Sequence, residues 1–266
     1  MTDMPVLFQI ILGCLLGGLL SVAAAALVMF GLPRRWFGLI VSLAVGLMLS
    51  TALLKLMPEA LEAGMPAHTA FPLLLGGIIT FFMLERSMLW RHSHHHEHSQ
   101  EQCVHDHHGK EAPLVVIGDS FHNFTDGVLI AAAFLADPTV GWSTTIAVLA
   151  HEVPQEAGDF AVLLAAGWAR KRALFWNAFS SLMSVVGGLF GYFALNNARE
   201  WVPVALVLAA AGFLYIAVAD LLPRLKRETR YPLAHALLLA AGIAMVALGG
   251  GHSHDVAQQQ LQRRFQ

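Results

Sequence analysis

Long apolar runs recur along the whole chain and leave little room for a water-soluble fold. A helix needs about 20 mostly apolar residues to cross a hydrocarbon layer about 30 Å thick. Apolar residues make up 56% of the 266 residues, charged residues make up only 13%, and the mean hydropathy is +0.60. A soluble domain carries about 25% charged residues. The pattern therefore predicts an all-α, polytopic membrane protein.

Eight runs are long enough to span, and most of the connections between them are short and contain proline, glycine or charged residues. The predicted spans are 5–29, 36–57, 69–89, 114–136, 142–169, 173–195, 202–222 and 231–250. The one long interruption, 90–113, is rich in histidine and is predicted to be a loop between the third and fourth helices. We therefore treat 1–266 as a single transmembrane domain.

The basic residues give the predicted bundle an orientation. If both ends face outward, the inward connections hold twelve of the 16 Lys and Arg residues, namely Arg34, Arg35, Arg86, Arg91, Lys110, Arg170, Lys171, Arg172, Arg224, Lys226, Arg227 and Arg230. The outward side then holds the other four, namely Lys55, Arg199, Arg263 and Arg264. Cytoplasmic loops carry an excess of Lys and Arg. The distribution therefore predicts eight helices with both termini outside and a cytoplasmic histidine-rich loop.

The fourth predicted helix carries a polar face within the apolar sequence GDSFHNFTDGVLIAAAF. His122 and Asp126 are four residues apart, so they lie on one face of a helix, with Asn123 beside them. Asp119 precedes His122 by three residues and falls on nearly the same face. Ionisable side chains cost about 2.5–3.5 kcal/mol each at the centre of a membrane helix. This cluster therefore indicates a function rather than simple packing.

The fifth predicted helix repeats the pattern in AHEVPQEAGDFAVLL. His151 and Gln155 are four residues apart, as are Glu152 and Glu156, and Asp159 follows. Neither segment contains Lys or Arg, so the carboxylates would repel one another unless they were protonated or bound a cation. Carboxylates and imidazoles are ligands that suit zinc and its neighbours. The alternative, hydrogen bonding that only joins helices, fits an isolated histidine better than this many ionisable groups.

The stretch HEVPQ also resembles the HExxH motif of zinc proteases, in which two histidines hold zinc and the glutamate is the base. Gln155 stands where the second histidine would be, and Pro154 lies inside the motif. An intramembrane hydrolase is therefore disfavoured, and the chain is predicted not to be an enzyme. The sequence has no GxxxxGK[ST] loop, so we expect neither ATP as an energy source nor an organic cofactor.

The paired motifs HNFTDG and HEVPQEAGD resemble the signature of the ZIP (Zrt/Irt-like) metal-ion transporters. The likeness extends to eight spans, outward termini, a histidine-rich loop and GFLYIAVADLLP on the seventh helix. It implies an eight-helix bundle with a two-metal centre between helices two, four and five. It also implies zinc as the transported substrate, with Fe²⁺, Mn²⁺ or Cd²⁺ in some members, and a homodimer in the lipid bilayer.

The resemblance implies two neighbouring metal positions that share ligands. The first is formed by His122, Asp126, His151 and Gln155, with a thioether from Met48. The second is formed by Asn123, Glu152 and the shared Asp126 and Gln155. Further candidates for outer contacts or for the ion pathway are Asp119, Glu156, Asp159 and Ser184. Gln155 replaces the second histidine that many relatives carry, and the sixth helix offers only serines to the second metal.

The segment RHSHHHEHSQEQCVHDHHGK holds eight of the 14 histidines. Histidine-rich tracts bind zinc weakly and reversibly, so we expect this one to contact metal leaving the pathway or to sense cytoplasmic metal. Its candidate ligands are His92, His94, His95, His96, His98, His105, His107 and His108.

The residues and the resemblance together predict transport of divalent metal ions, foremost zinc uptake toward the cytoplasm. Alternating access would let the fourth and fifth helices slide or rock at small-residue interfaces. The alternatives are a metal exporter, an intramembrane metal-dependent enzyme and a metal sensor without transport. The net charge of −2 and pI of about 6.7 give no indication of nucleic acid as a partner. We expect an integral protein of the plasma membrane, or of the inner membrane if the source is bacterial.

Overall fold

Helices are the only regular secondary structure among the described residues of the computed structural model, which are 5–31, 35–93, 108–227 and 231–249. Consecutive helical segments run on from one another, so this part of the chain forms eight rods. In chain order the rods are α1 (Val6–Gly31), α2 (Arg35–Thr51, Ala52–Leu56 and Met57–Glu62), α3 (Ala67–Ser93), α4 (His108–Ala136), α5 (Pro138–Ala165), α6 (Arg170–Asn196), α7 (Arg199–Lys226) and α8 (Pro232–Gly249). The prediction of an all-α fold is confirmed.

Six of these rods, α1, α2, α3, α6, α7 and α8, are long and apolar enough to cross a membrane. The other two, α4 and α5, carry the predicted polar motifs, whose acidic and amide side chains lower their hydropathy. Large apolar side chains such as Leu75 and Leu248 are exposed on the outer helices. An apolar exterior around a partly polar interior is the pattern of a polytopic membrane protein.

The helices on either side of the histidine-rich segment are longer than predicted. α3 continues to Ser93 and α4 begins at His108, so residues 90–93 and 108–113 are helical and not part of a loop. Apolar content marks only where a helix can meet lipid, and polar residues can continue the same helix beyond that point. The side chains of all eight histidines of the segment lie outside the described part of the chain, which includes only the backbone of the first and the last. The eight are His92, His94, His95, His96, His98, His105, His107 and His108.

The rods pack mainly in two groups of four. α1, α4, α5 and α6 pack against one another, and we call them the site group because both motifs lie in it. In the companion group, α2 packs against α7 and α8, and α3 packs against α7. The main contacts between the groups are those of α2 with α5 and of α4 with α7.

Glycine permits the closest helix approaches within each group. A Cβ added to Gly127 on α4 would lie 1.9 Å from the carbonyl oxygen of Ser184 on α6, and one added to Gly187 on α6 would lie equally close to the α4 backbone. In the companion group, a Cβ on Gly46 would lie 2.2 Å from the carbonyl oxygen of Leu239. Among the described residues, every glycine with such a close neighbour faces a helix of its own group. Small residues therefore allow close packing of helices within a group.

Two rods of the companion group contain π-helical turns, at Ala52–Leu56 in α2 and at Ile216–Leu221 in α7. The π-helical turn of each rod packs against the other rod. A π turn widens the helix and rotates the side chains that follow it. These turns therefore set which faces α2 and α7 present beside the site group.

Candidate metal centre

Four side chains from α4 and α5 converge in the interior of the bundle. One ligand atom each from His122, Asp126, His151 and Glu152 lies within 4.8 Å of the other three, and we call these residues the histidine cluster. His122 Nε2 lies 3.2 Å from Glu152 Oε1, and His151 Nε2 lies 3.2 Å from Asp126 Oδ2. The two Nε2 atoms are 3.3 Å apart. Two nitrogen and two carboxylate donors thus surround one point.

The histidine cluster is enclosed on most sides. Asp126, His151 and Glu152 are 3%, 1% and 0% exposed, whereas the side chain of His122 remains 24% exposed. Three carboxylate oxygens here accept no well-formed hydrogen bond from the described residues, although imidazole nitrogens lie nearby. They are both oxygens of Glu152 and Oδ2 of Asp126. A buried carboxylate oxygen without a donor is costly. A divalent cation would satisfy all of these oxygens at once.

A backbone contact orients His151 toward this point. Its Nδ1 lies 3.0 Å from the carbonyl oxygen of Ala147. Because a carbonyl oxygen can only accept, this contact requires the proton on Nδ1, and in a neutral imidazole Nε2 then has the lone pair that would ligate a metal. The ring of Phe213 on α7 packs against the imidazole with 5.9 Å between centroids, so the companion group supplies one wall of the site.

A second set of carboxylates lies beside the first. One oxygen each from Asp119, Glu152 and Glu156 lies within 4.8 Å of the other two, and we call these residues the acidic cluster. They are 5%, 0% and 0% exposed. Glu152 belongs to both clusters, so the two sets of donors are contiguous.

Serine hydroxyls on α6 hold two of these carboxylates. Ser180 donates to Asp119 Oδ2, and Ser181 donates to Glu156 Oε1 at 2.8 Å. The sequence pointed to serines of FSSLMS on the sixth helix but singled out Ser184, whose hydroxyl instead donates to a backbone carbonyl of α1 at 3.0 Å. Which serine of this stretch faces the carboxylates depends on the rotation of α6, which the sequence alone does not specify.

The two predicted amide ligands contact the acidic cluster. Asn123 Nδ2 donates to Asp119 Oδ1 at 3.1 Å, and Gln155 Nε2 donates to the same oxygen at 3.5 Å. These bonds use the amide nitrogens and leave the amide oxygens as the atoms that could ligate a metal. Met48 is fully buried in the apolar core, and Asp159 is half-buried on α5.

Known proteins with similar sequences are named as metal transporters. Zinc transporter ZIP10 of Homo sapiens is 40% identical over 154 residues, which cover 53% of this chain and 18% of ZIP10. Zinc transporter ZIP13 of Danio rerio is 39% identical over 142 residues, 51% of this chain and 40% of that protein. Metal cation symporter ZIP14 of Danio rerio is 41% identical over 123 residues, 46% of this chain and 24% of that protein. The chain therefore spans less than half the length of each of these relatives.

The family comparison covers far more of the chain than any of these pairwise matches. The family model described as ZIP Zinc transporter matches residues 4–114 and 90–249, a region that includes both polar motifs and both clusters. The resemblance inferred from HNFTDG and HEVPQEAGD is thus confirmed, and the chain belongs to the ZIP zinc transporter family.

Proposed function

We propose that this chain carries divalent metal ions, foremost zinc, across a membrane through the histidine cluster and toward the cytoplasm. The observation that carries the proposal is the convergence of two imidazole nitrogens and two carboxylates, all from α4 and α5, within 4.8 Å. This donor set suits zinc and neighbouring transition metals. The relatives' names, two zinc transporters and a metal cation symporter, support the same cargo.

In this proposal all eight rods cross the membrane, with both termini outside. Contacts at the rod ends support the alternation of direction. The guanidinium of Arg170, at the start of α6, lies 5.1 Å from the ring centroid of Phe30, at the end of α1. Arg199, at the start of α7, donates to the carbonyl oxygen of Leu135, near the end of α4, at 3.0 Å. Each contact joins two ends that this topology puts on the same side.

The proposed mechanism is alternating access. The site group carries the metal donors of both clusters, and close glycine contacts join α4 to α6 within it. The companion group contributes a wall that includes Phe213. The site group therefore moves as one body against that wall and opens the histidine cluster to one side and then the other. Location in the plasma membrane and assembly as a homodimer belong to the same proposal and rest on the resemblance.

Zinc flux into proteoliposomes with an interior zinc-sensitive dye tests the proposal, provided that the protein is inserted in a defined orientation. The native chain should give a zinc-dependent rise in the dye signal. Asp126→Ala should reduce the initial rate by roughly 10-fold or more, because even the outer partners of metal ligands cost 10–100-fold when removed. Asp220→Asn is the control, since this carboxylate pairs with Arg224 at 2.8 Å on the exposed end of α7.

The outcomes separate the alternatives. Uptake by Asp126→Ala at the native rate would refute the assignment of the site. Zinc binding without flux would favour a sensor, and flux only out of preloaded vesicles would reverse the proposed direction.

A further inference from the structure

We propose that Thr51 on α2 and Thr144 on α5 line the outer passage to the histidine cluster, where their hydroxyls hydrogen-bond to the water that accompanies the entering divalent cation. Neither threonine belongs to the histidine cluster or to the acidic cluster. The proposal rests on the proposed function for the identity of the ion and for the side from which it enters. The passage itself has a test that does not depend on transport.

The first argument is that these two hydroxyls are buried without a partner. Thr51 and Thr144 are both 0% exposed, and neither Oγ1 has a hydrogen-bond partner among the described residues. A serine or threonine within a helix can donate to a carbonyl oxygen of the preceding turn. The next residue on each helix does so, Ser50 Oγ at 2.6 Å and Thr145 Oγ1 at 3.0 Å. The two threonine hydroxyls thus lack a contact that water would supply.

The second argument is the position of Thr144 relative to the histidine cluster. Thr144 precedes His151 by seven residues, which is about two helical turns, so both side chains lie on nearly the same face of α5. The rise of the helix separates them by about 10 Å. Thr145 lies on another face, since its Oγ1 is 2.8 Å from where a Cβ on Gly13 of α1 would lie. A cation that moves along the Thr144 face of α5 therefore reaches His151.

The third argument is that both threonines lie toward the same end of the bundle. A cavity of about 520 Å³ is lined by the end of α2, the start of α3, the end of α4 and the start of α7. Because α5 begins directly after α4, its first turns lie at this end as well. Thr144 lies between this end and the histidine cluster, and Thr51 lies in the half of α2 that is nearer to it. The proposed topology puts this end of the bundle outside.

The passage is closed in this structure, at a contact that the proposed mechanism opens. α2 and α5 form one of the main contacts between the companion group and the site group. Met48 on α2 and Ala147 on α5, each one turn from a threonine, are also fully buried. Movement of the site group opens this contact to water. The two hydroxyls then offer hydrogen bonds that the apolar neighbours lack, and they hold the hydrated ion until His151 replaces part of its water.

Labelling of single cysteines with a charged, water-borne methanethiosulfonate tests whether water enters this passage. Thr51→Cys and Thr144→Cys are made in the full chain in nanodiscs, with Cys103→Ser to remove a second thiol. Cys14 is kept because it is 0% exposed. Both cysteines should react at least about tenfold faster than Ser50→Cys and Thr145→Cys, because thiol reactivity follows exposure. The mass of the intact protein measures the reaction.

Zinc uptake by valine variants tests the hydroxyls themselves. Thr51→Val and Thr144→Val keep the branched side chain and should each lower the maximal rate by about three- to tenfold, the range for the loss of one hydrogen bond. The zinc affinity of the histidine cluster should change by less than about twofold, because no metal donor is altered. Thr51→Ser and Thr144→Ser should keep the native rate. Ser50→Ala and Thr145→Val are the matched controls and should also keep it.

The valine variants should unfold at or above the native temperature, since each removes a buried hydroxyl without a partner. Failure of both cysteines to react, or native uptake in both valine variants, would overturn the inference. Equal losses in the valine and serine variants would overturn it too, because side-chain shape would then set the rate. If the native chain carries no zinc, the proposed function fails, and the labelling alone decides whether the passage exists.

Discussion

Histidine contacts a neighbouring helix in both the site group and the companion group, but its partners differ. In the companion group, His235 Nδ1 on α8 lies 2.7 Å from Ser42 Oγ on α2, which is an ordinary bond between helices. In the site group, His122 and His151 meet two carboxylates, and three carboxylate oxygens there accept no well-formed hydrogen bond from the described residues. A histidine packed between helices therefore does not by itself indicate a metal. Histidines that meet carboxylate oxygens lacking hydrogen-bond donors do indicate one.

The largest expected effect compares these two kinds of histidine directly. His151→Ala should weaken zinc binding at the cluster by about 100-fold or more, because it removes one of two nitrogen donors and leaves the carboxylates less compensated. His235→Ala should leave that affinity unchanged. Isothermal titration of both variants with zinc measures the difference. Equal losses in the two variants would show that the site is not confined to one group.

The next effect tests whether each group is a rigid unit. Gly127→Ala would force a Cβ to within 1.9 Å of a backbone oxygen on α6, and Gly46→Ala would force one to within 2.2 Å of a backbone oxygen on α8. Each should cost about 1–3 kcal/mol of stability, since packed helices must separate. Gly158→Ala is the matched control, because a Cβ there meets nothing within 4 Å. Thermal unfolding in detergent measures how much stability each variant loses. Similar stability in all three variants would contradict the close packing.

A smaller effect sharpens the contrast between the nitrogen-rich and oxygen-only clusters. Gln155→His places a third imidazole one turn from His151 and removes the amide that donates to Asp119 Oδ1 at 3.5 Å. Zinc affinity should rise by about 10-fold because imidazole suits zinc better than an amide does. Zinc release, followed by stopped-flow with a chelator, should slow in proportion. Unchanged affinity would mean that this position does not face the bound metal.

The smallest effect separates functional hydroxyls from structural ones. Ser181→Ala removes the 2.8 Å bond to Glu156 Oε1. A hydrogen bond to a charged group contributes about 1.5–3 kcal/mol, but water can replace part of it, so zinc affinity should fall by about fivefold. Ser42→Ala, which removes the bond to His235, should leave zinc affinity unchanged. A loss of zinc affinity in Ser42→Ala as large as in Ser181→Ala would remove the special role of α6.

The sequence predicts local features of this bundle better than contacts between helices. Apolar runs of adequate length predict helices, and spacings of four residues place His122 with Asp126 on one face. The limits of α3 and α4 were not predictable from hydropathy, because the polar ends of both helices extend beyond the apolar core. The meeting of Ser181 with Glu156 was not predictable either. It depends on how α6 is rotated against α5, which no spacing within one helix specifies.

Zinc-edge anomalous diffraction from crystals of the full chain grown with zinc shows directly where the metal binds. We expect a peak enclosed by Nε2 of His122, Nε2 of His151 and carboxylate oxygens of Asp126 and Glu152. The same crystals of His235→Ala should keep that peak, and those of His151→Ala should lose most of it. Zinc peaks elsewhere in the native chain, with none in the histidine cluster, would contradict the assignment of the metal site to these four residues.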